Sequence, residues 1–151
     1  MFPRVAYQLV LLFAAFLFSA GTVAIADVRP EAPGIRTGLE IASAGGFKEL
    51  KGKKVGVVTN PTGVDRQLVS LIDLLAGAKG VELKAIFGPE HGARGAAAAG
   101  AKVADAKDAA TGAPVYSLFG ASRSPADEVL KRLDVIIFDI QDIGVRTYTY
   151  L

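Results

Sequence analysis

Three short segments rich in apolar residues constrain the fold more than any other feature of this sequence. They are Lys54–Thr59 (KVGVVT), 81–87 (VELKAIF) and 134–140 (DVIIFDI), and turn-forming residues follow each of them. A strand whose apolar residues run on without alternation is typical of a parallel sheet that is covered on both faces. Parallel strands also need long crossover connections, which are usually helices. The pattern therefore predicts an α/β fold.

The first helix signal precedes the first of these strands. Thr37 and Glu40 form a capping-box pattern, in which each residue bonds the backbone of the other. The pattern predicts a helix that runs from there to about Leu50. Gly45 and Gly46 weaken the middle of this helix, because glycine loses more backbone freedom than other residues.

Two further helices and one strand complete the predicted alternation. Thr62 and Asp65 match a second capping box, and four aliphatic residues follow at the i, i+3, i+4, i+7 spacing of an amphipathic helix. Ser124 predicts the start of a helix that ends near Leu133, and residues 114–119 (PVYSLF) are a further strand candidate. The aliphatic residues of the earlier helix are Leu68, Leu71, Ile72 and Leu75.

Together these elements predict a Rossmann-like three-layer domain with a mostly parallel sheet. The sequence contains neither G-x-G-x-x-G nor G-x-x-x-x-G-K-[ST], so the nucleotide fingerprints are absent and we expect no cofactor. With one histidine and no cysteine, the sequence gives no reason to expect a zinc site of the usual N/S type, and no metal is expected. A formal net charge of +2 gives no electrostatic reason to expect a nucleic acid partner.

The first 26 residues have the three parts of a secretory signal peptide. Arg4 supplies a basic start, residues 9–18 are almost all apolar, and residues 24–26 (AIA) form a cleavage pattern. We therefore expect the mature chain to begin at Asp27.

Such a signal predicts an exported protein, periplasmic or extracellular, without stable membrane association after cleavage. The alternative is that the apolar stretch 5–26 stays in place as a membrane anchor, since it is long enough to span a bilayer. Residues 27–37 are expected to form a flexible lead-in, and residues 38–151 the Rossmann-like domain.

The segment 87–95 (FGPEHGARG) is the first candidate for a functional site. It follows a predicted strand directly and places Glu90, His91 and Arg94 among glycines, which let a backbone approach a ligand closely. Loops at the ends of strands carry the chemistry in open α/β sheets. Each residue also has a structural alternative. Glu90 and Arg94 would pair with each other, and His91 would donate to a backbone carbonyl and hold the loop.

Polar residues follow all three predicted strands. The carboxyl ends of parallel strands meet at one edge of a sheet, so we expect these residues to form a polar ligand site there. The alternatives are that Asp139 caps a neighbouring loop and that Asp142 shapes a turn. The candidates are Asn60, Thr62, Glu90, His91, Arg94, Asp139, Gln141 and Asp142, with Arg146 and Tyr148 just beyond.

Five blocks of sequence, in this order, resemble the bacterial exo-β-N-acetylmuramidase family (the NamZ type). The resemblance implies a glycoside hydrolase that removes terminal N-acetylmuramic acid from peptidoglycan fragments during cell-wall turnover. Muropeptides and MurNAc-GlcNAc oligosaccharides would be its partners. The blocks are 38–40, 50–63, 87–95, 114–120 and 138–150.

The resemblance also implies roles for the candidate residues. In this family a Rossmann-like N-terminal domain joins a smaller C-terminal domain, with the active site in the cleft between them. The family's proposed catalytic glutamate lies in the G-P-E-H-G motif, here Glu90. As an acid it would protonate the leaving oxygen. Either Asp139 or Asp142 would activate water or support the transition state, or the acetamido group of the sugar would attack instead.

Substrate binding would fall to the remaining polar residues. Arg94 or Arg146 would bind the lactyl carboxylate of muramic acid as a forked pair. Asn60 would bond a sugar hydroxyl or the acetamido group. The other substrate-binding candidates are His91, Gln141 and Tyr148.

The chain departs from the family pattern at its end. It stops at Tyr150 and Leu151, inside the last block, and the C-terminal domain of the family is missing. We therefore expect weak or no activity from this chain alone. The alternative reading is a non-catalytic cell-wall module that binds muropeptides.

Overall fold

The structure, a computed structural model, describes residues 34–98, 100 and 104–144. The predicted signal peptide, most of the lead-in, and the candidates Arg146 and Tyr148 lie outside the described residues and stay predictions. The elements in chain order are α1 (Gly38–Ala44), a 3₁₀ turn (Lys48–Leu50), β1 (Lys54–Thr59), α2 (Leu71–Gly77), β2 (Glu82–Gly88), β3 (Ala106–Lys107), β4 (Pro114–Ser117), α3 (Asp127–Leu130) and β5 (Val135–Asp139).

The strands form one sheet of five, in the order β3-β4-β2-β1-β5. β1 pairs in parallel with both β2 and β5, and β2 pairs in parallel with β4. β3 alone runs antiparallel, beside β4. The prediction of an α/β domain with a mostly parallel sheet is confirmed. No helix in the described part of the chain combines the length and apolar character that crossing a membrane requires.

One face of the sheet carries the core. Alternate strand residues point to this face and pack against side chains of α2 and of the turn that follows α1. Fully burying an aliphatic side chain contributes roughly 1.5–3 kcal/mol, so this cluster is the main source of stability. Its large buried members are Phe47, Val55, Val57, Leu71, Ile72, Leu75 and Ile86.

The opposite face is covered less evenly. Phe87 is buried there and stacks on Tyr116 with 5.6 Å between the ring centroids. Ile136 and Phe138 of β5 are 44% and 50% exposed, while Ile137 between them is half-buried. β5 was predicted as a strand covered on both faces, but it is the edge strand of the described sheet. Its side chains therefore alternate between a packed face and an open one.

The first helix is shorter than predicted. The capping box is confirmed: Glu40 N–H donates to Thr37 Oγ1 at 3.2 Å, and Thr37 N–H donates to Glu40 Oε2 at 2.8 Å. The helix ends at Ala44 because Gly46 and Phe47 adopt left-handed φ angles of 62° and 49°. This reversal turns Phe47 into the core.

The second helix begins later than predicted, at Leu71, with Ser70 as its cap. Thr62 does not cap a helix, because its N–H and its hydroxyl both donate to Asn60 Oδ1. Leu68 is 79% exposed with a φ of 61°, so the prediction that it belongs to the helix was wrong.

The third helix also differs from its prediction. It begins at Asp127 after Ala126 and ends at Leu130, without a side-chain cap. The hydroxyl of Ser124 is not the cap, since its neighbours 122–124 form a local turn instead.

Gly63 offers a test of how tightly the edge of the sheet is packed. A Cβ at this position would lie 2.2 Å from Thr59 Oγ1 and 3.0 Å from the Asp139 carbonyl oxygen. We expect Gly63→Ala to lower the free energy of unfolding by about 1–3 kcal/mol, measured by urea titration. Gly38→Ala is the control, because its Cβ would meet nothing within 4 Å. This control should be neutral or stabilising, and equal stability of the two variants would contradict the packing.

Candidate functional site

Hydrogen bonds join the end of β1 and the loop after it to the end of β5. Thr59 Oγ1 donates to the Asp139 carbonyl oxygen at 2.9 Å, and the Gln141 N–H donates to Thr62 Oγ1 at 2.9 Å. Thr62 in turn donates its hydroxyl hydrogen to Asn60 Oδ1 at 2.6 Å. The carboxyl ends of β1 and β5 therefore form one connected polar edge. The Asn60 oxygen is already engaged in shaping the turn.

The loop after β2, residues 88–98, folds back tightly on itself and is called the Glu90 loop below. A Cβ on Gly88 would lie 2.5 Å from the Ala93 nitrogen, and His91 has a left-handed φ of 69°. The His91 ring Nδ1 lies 3.1 Å from the Ala97 carbonyl oxygen, and the Ala97 N–H donates to the His91 carbonyl at 3.1 Å. His91 thus occupies the loop-holding position that the sequence offered as its alternative role.

Arg94 clamps the Glu90 loop to two other parts of the fold. Its Nη2 and Nη1 donate to the two carboxylate oxygens of Asp73 on α2, at 2.6 and 3.1 Å. Its Nε and Nη2 donate to Asp108 in the turn before β4, at 2.5 and 3.0 Å. The pairing with Glu90 that the sequence suggested is not formed, and the guanidinium donors bind these carboxylates instead.

Asp108 is the buried member of this cluster, with 5% of its side chain exposed. Its Oδ2 also accepts from the Thr111 N–H and hydroxyl at 2.9 and 2.8 Å. Hydrogen bonds from Arg94, together with those from Thr111, lower the pKa of Asp108 to about 2 against the opposing effect of burial. The same contacts raise the pKa of Arg94. Arg94 and Asp108 therefore form an ionised clamp at neutral pH.

Glu90 lies at a cavity on the open face of the sheet, with a volume of about 420 Å³. The Glu90 carboxylate accepts from the Gly100 N–H at 3.1 Å. We call this space the Glu90 cavity. Most of its walls are apolar, and Arg123 is the second charged residue among them. The lining residues are Val58, Pro89, Glu90, Leu118, Phe119, Arg123, Pro125, Phe138 and Ile140.

Asp139 lies at a different and larger cavity, of about 830 Å³, between α1 and β5. Thr62 and Gln141 line it with Asp139, and we call it the Asp139 cavity. Burial raises the pKa of Asp139. Phe138 borders both cavities, because they lie on the two sides of β5.

The predicted site residues are therefore brought to one edge but not into one cavity. Glu90 lines the first cavity, and Asp139 and Gln141 line the second. Asp142 lines neither of these two, and its carboxylate accepts from the Gly144 N–H at 2.6 Å, as expected for a turn residue. Within residues 34–98, 100 and 104–144, no cluster of histidine, aspartate and glutamate side chains is placed to hold a metal ion.

Sequence reasoning missed Arg123 and Phe119, which line the Glu90 cavity. The sequence did contain a pattern that could have located these two residues. The segment 114–119 was predicted as a strand, and β4 runs parallel to β2, so the loop after it reaches the same edge. The rule that selected the loops after β1, β2 and β5 selects this fourth loop as well.

The fold and its cavities define an α/β domain with polar, ligand-accessible loops at the carboxyl edge of a parallel sheet. Comparison with known proteins gives the family. Residues 55–151 match the sequence model described as "Exo-beta-N-acetylmuramidase NamZ, N-terminal". The chain belongs to this family, and the resemblance drawn from the five sequence blocks is confirmed.

Relatives of known sequence or structure agree with this assignment. The chain is 42% identical over 146 residues to the peptidoglycan beta-N-acetylmuramidase NamZ of Bacillus subtilis (strain 168), covering 92% of this chain and 35% of that protein. A DUF1343 family protein from Bacteroides fragilis superposes with a TM-score of 0.66 and 52% identity, covering 76% of this chain and 28% of that one. A second one gives 0.57 and 36% identity, covering 74% and 27%. The chain thus spans about a third of the length of the curated relative.

The Arg94 clamp predicts a specific dependence of stability on pH. Because the pKa of Asp108 is lower in the folded chain than its ordinary value, its ionised form stabilises the fold above about pH 4. That contribution, about 2 kcal/mol, is lost as the pH falls from about 4 to about 2. We therefore expect the stability difference between the wild type and Asp108→Asn to shrink by this amount over that range, measured by urea unfolding at each pH.

Glu128→Gln is the matched control, since Glu128 is an exposed carboxylate on α3. Its stability difference from the wild type should change little with pH. A difference for Asp108→Asn that stays constant from neutral pH down to about pH 2 would contradict the ionised clamp.

Proposed function

We propose that this chain supplies the Glu90 part of an exo-β-N-acetylmuramidase active site, which releases terminal N-acetylmuramic acid from peptidoglycan fragments. Membership of the NamZ family and the name of the Bacillus subtilis relative support the reaction class. The observation that carries the proposal is the Glu90 carboxylate, placed at the rim of an open, mostly apolar cavity. Apolar walls with a few placed polar groups are typical of ligand sites.

Glu90 acts as the general acid in this proposal. Cleaving a glycosidic bond to a second sugar produces a poor leaving group, so a carboxyl group must protonate the departing oxygen. The apolar side chains of Phe119 and Phe138 offer faces on which a sugar ring stacks. The Gly100 N–H donates to Glu90 Oε1 and so orients the carboxylate that lines the cavity.

The second half of the reaction needs either another carboxylate or the acetamido group of the substrate. Among the described residues that line the Glu90 cavity, Glu90 is the one carboxylate, while Asp139 lines the cavity on the other side of β5. Glu90 and Asp139 therefore do not share one of these two cavities, and the substrate's own acetamido oxygen is the alternative nucleophile in this proposal. The Asp139 backbone carbonyl accepts from Thr59 Oγ1 and so joins the ends of β1 and β5.

The acid role of Glu90 is tested by two substrates with different leaving groups. Glu90→Gln should lower kcat on a MurNAc-GlcNAc disaccharide by roughly 10²–10⁴-fold. The loss should be much smaller on 4-nitrophenyl β-N-acetylmuramide, whose leaving group needs little protonation. Rates are measured on the 151-residue chain and on the same chain extended by the C-terminal domain of the family, with N-acetylmuramic acid affinity followed by calorimetry.

Glu82→Gln is the matched control, because Glu82 begins the same strand that leads to Glu90 and lies at the opposite edge of the sheet. This variant should keep full activity. Full activity of Glu90→Gln on the disaccharide would remove the acid role. Tight binding of muramic acid without hydrolysis by any wild-type form would identify a binding module instead of an enzyme.

A further inference from the structure

Arg123 stands at the Glu90 cavity in a loop that follows β4. The start of this loop is braced by Ser117, whose hydroxyl donates to the Phe119 carbonyl at 2.9 Å and accepts the Phe119 N–H at 3.1 Å. Farther along, Ser122 makes the same pair of bonds with Ser124, at 2.7 and 3.3 Å. Arg123 therefore lies in a turn that local hydrogen bonds hold in place.

The charge of Arg123 is not matched inside the described part of the protein. Hydrogen bonds pair Arg94 with Asp73 and Asp108, and Arg66 with Glu40. For Arg123, by contrast, no ion pair or side-chain hydrogen bond joins it to another residue of 34–98, 100 or 104–144. Its planar guanidinium can thus offer a fork of donors to a ligand.

Glu90 and Arg123 give the cavity charges of opposite sign, separated by apolar wall. A ligand carboxylate is attracted by the guanidinium of Arg123, so this residue fixes which end of an acidic sugar lies beside the β4 loop. A forked guanidinium–carboxylate contact is also stronger and more directional than a bond to a neutral group.

We propose that Arg123 binds the lactyl carboxylate of N-acetylmuramic acid and makes the Glu90 cavity selective for this acidic amino sugar over its neutral analogues. The inference rests on the proposed function and deepens it. It moves the carboxylate-binding role from Arg94, whose donors bind Asp73 and Asp108, to an arginine that lines the cavity itself.

The test compares the binding of N-acetylmuramic acid with that of its uncharged methyl ester. Dissociation constants for N-acetylmuramic acid and for its methyl ester are measured by calorimetry on the 151-residue chain. The wild type should prefer the acid by roughly 10–100-fold, the value of a charged hydrogen-bonded pair. Arg123→Gln should weaken binding of the acid to the level of the ester and leave the ester unchanged. Arg123→Lys should recover part of the preference, since it keeps the charge without the fork.

Arg132→Gln is the control, because Arg132 is an exposed arginine near the end of α3 that does not line the cavity. It should keep the wild-type preference. Two results for Arg123→Gln would overturn the role of Arg123 and leave the proposed function standing. In the first, the variant still prefers the acid. In the second, it loses affinity for both ligands equally while its thermal unfolding midpoint is unchanged. A wild type that binds neither ligand overturns both.

Discussion

The ionised clamp between Arg94 and Asp108 is the interaction on which the rest of the site depends. A buried carboxylate is costly unless it is paired and fully hydrogen-bonded, and Arg94 together with Thr111 meets that requirement for Asp108. Because Asp73 holds the other side of the same guanidinium, the clamp joins α2, the turn before β4 and the Glu90 loop. The loop that carries Glu90 is therefore held by charge at Arg94, near its middle, and by β2 at its start.

The alternation of side chains along β5 then determines which of the two cavities each residue lines. Successive residues of β5 point to opposite faces, so Asp139 and Phe138 belong to different sides of the sheet. Asp139 faces the cavity beside α1, whereas Phe138 also borders the space at Glu90. Asp139 thus lines one cavity, while its neighbour Phe138 also lines the other. The Glu90 cavity therefore takes its second charge from the β4 loop, through Arg123.

The sequence predicted the strands well because an apolar run bounded by turn residues is a local signal. It failed where a tertiary contact decides the outcome. Gly46 and Phe47 end α1 early because burying Phe47 outweighs another helical turn, and β3 is two residues long and has no pattern of its own. The partner of Arg94 lies 14 residues away, beyond any local motif, so its structural role was invisible. The sequence located Glu90 correctly at the edge but could not tell which cavity each carboxylate lines.

The central claim is that an acidic amino sugar binds in the Glu90 cavity. The most direct measurement is the change in backbone amide chemical shifts when N-acetylmuramic acid is titrated into the isotopically labelled chain. We expect the largest changes in residues 88–98 and 118–125, around Glu90 and Arg123. Changes concentrated in residues 37–42 and 139–141, around the Asp139 cavity, would contradict it.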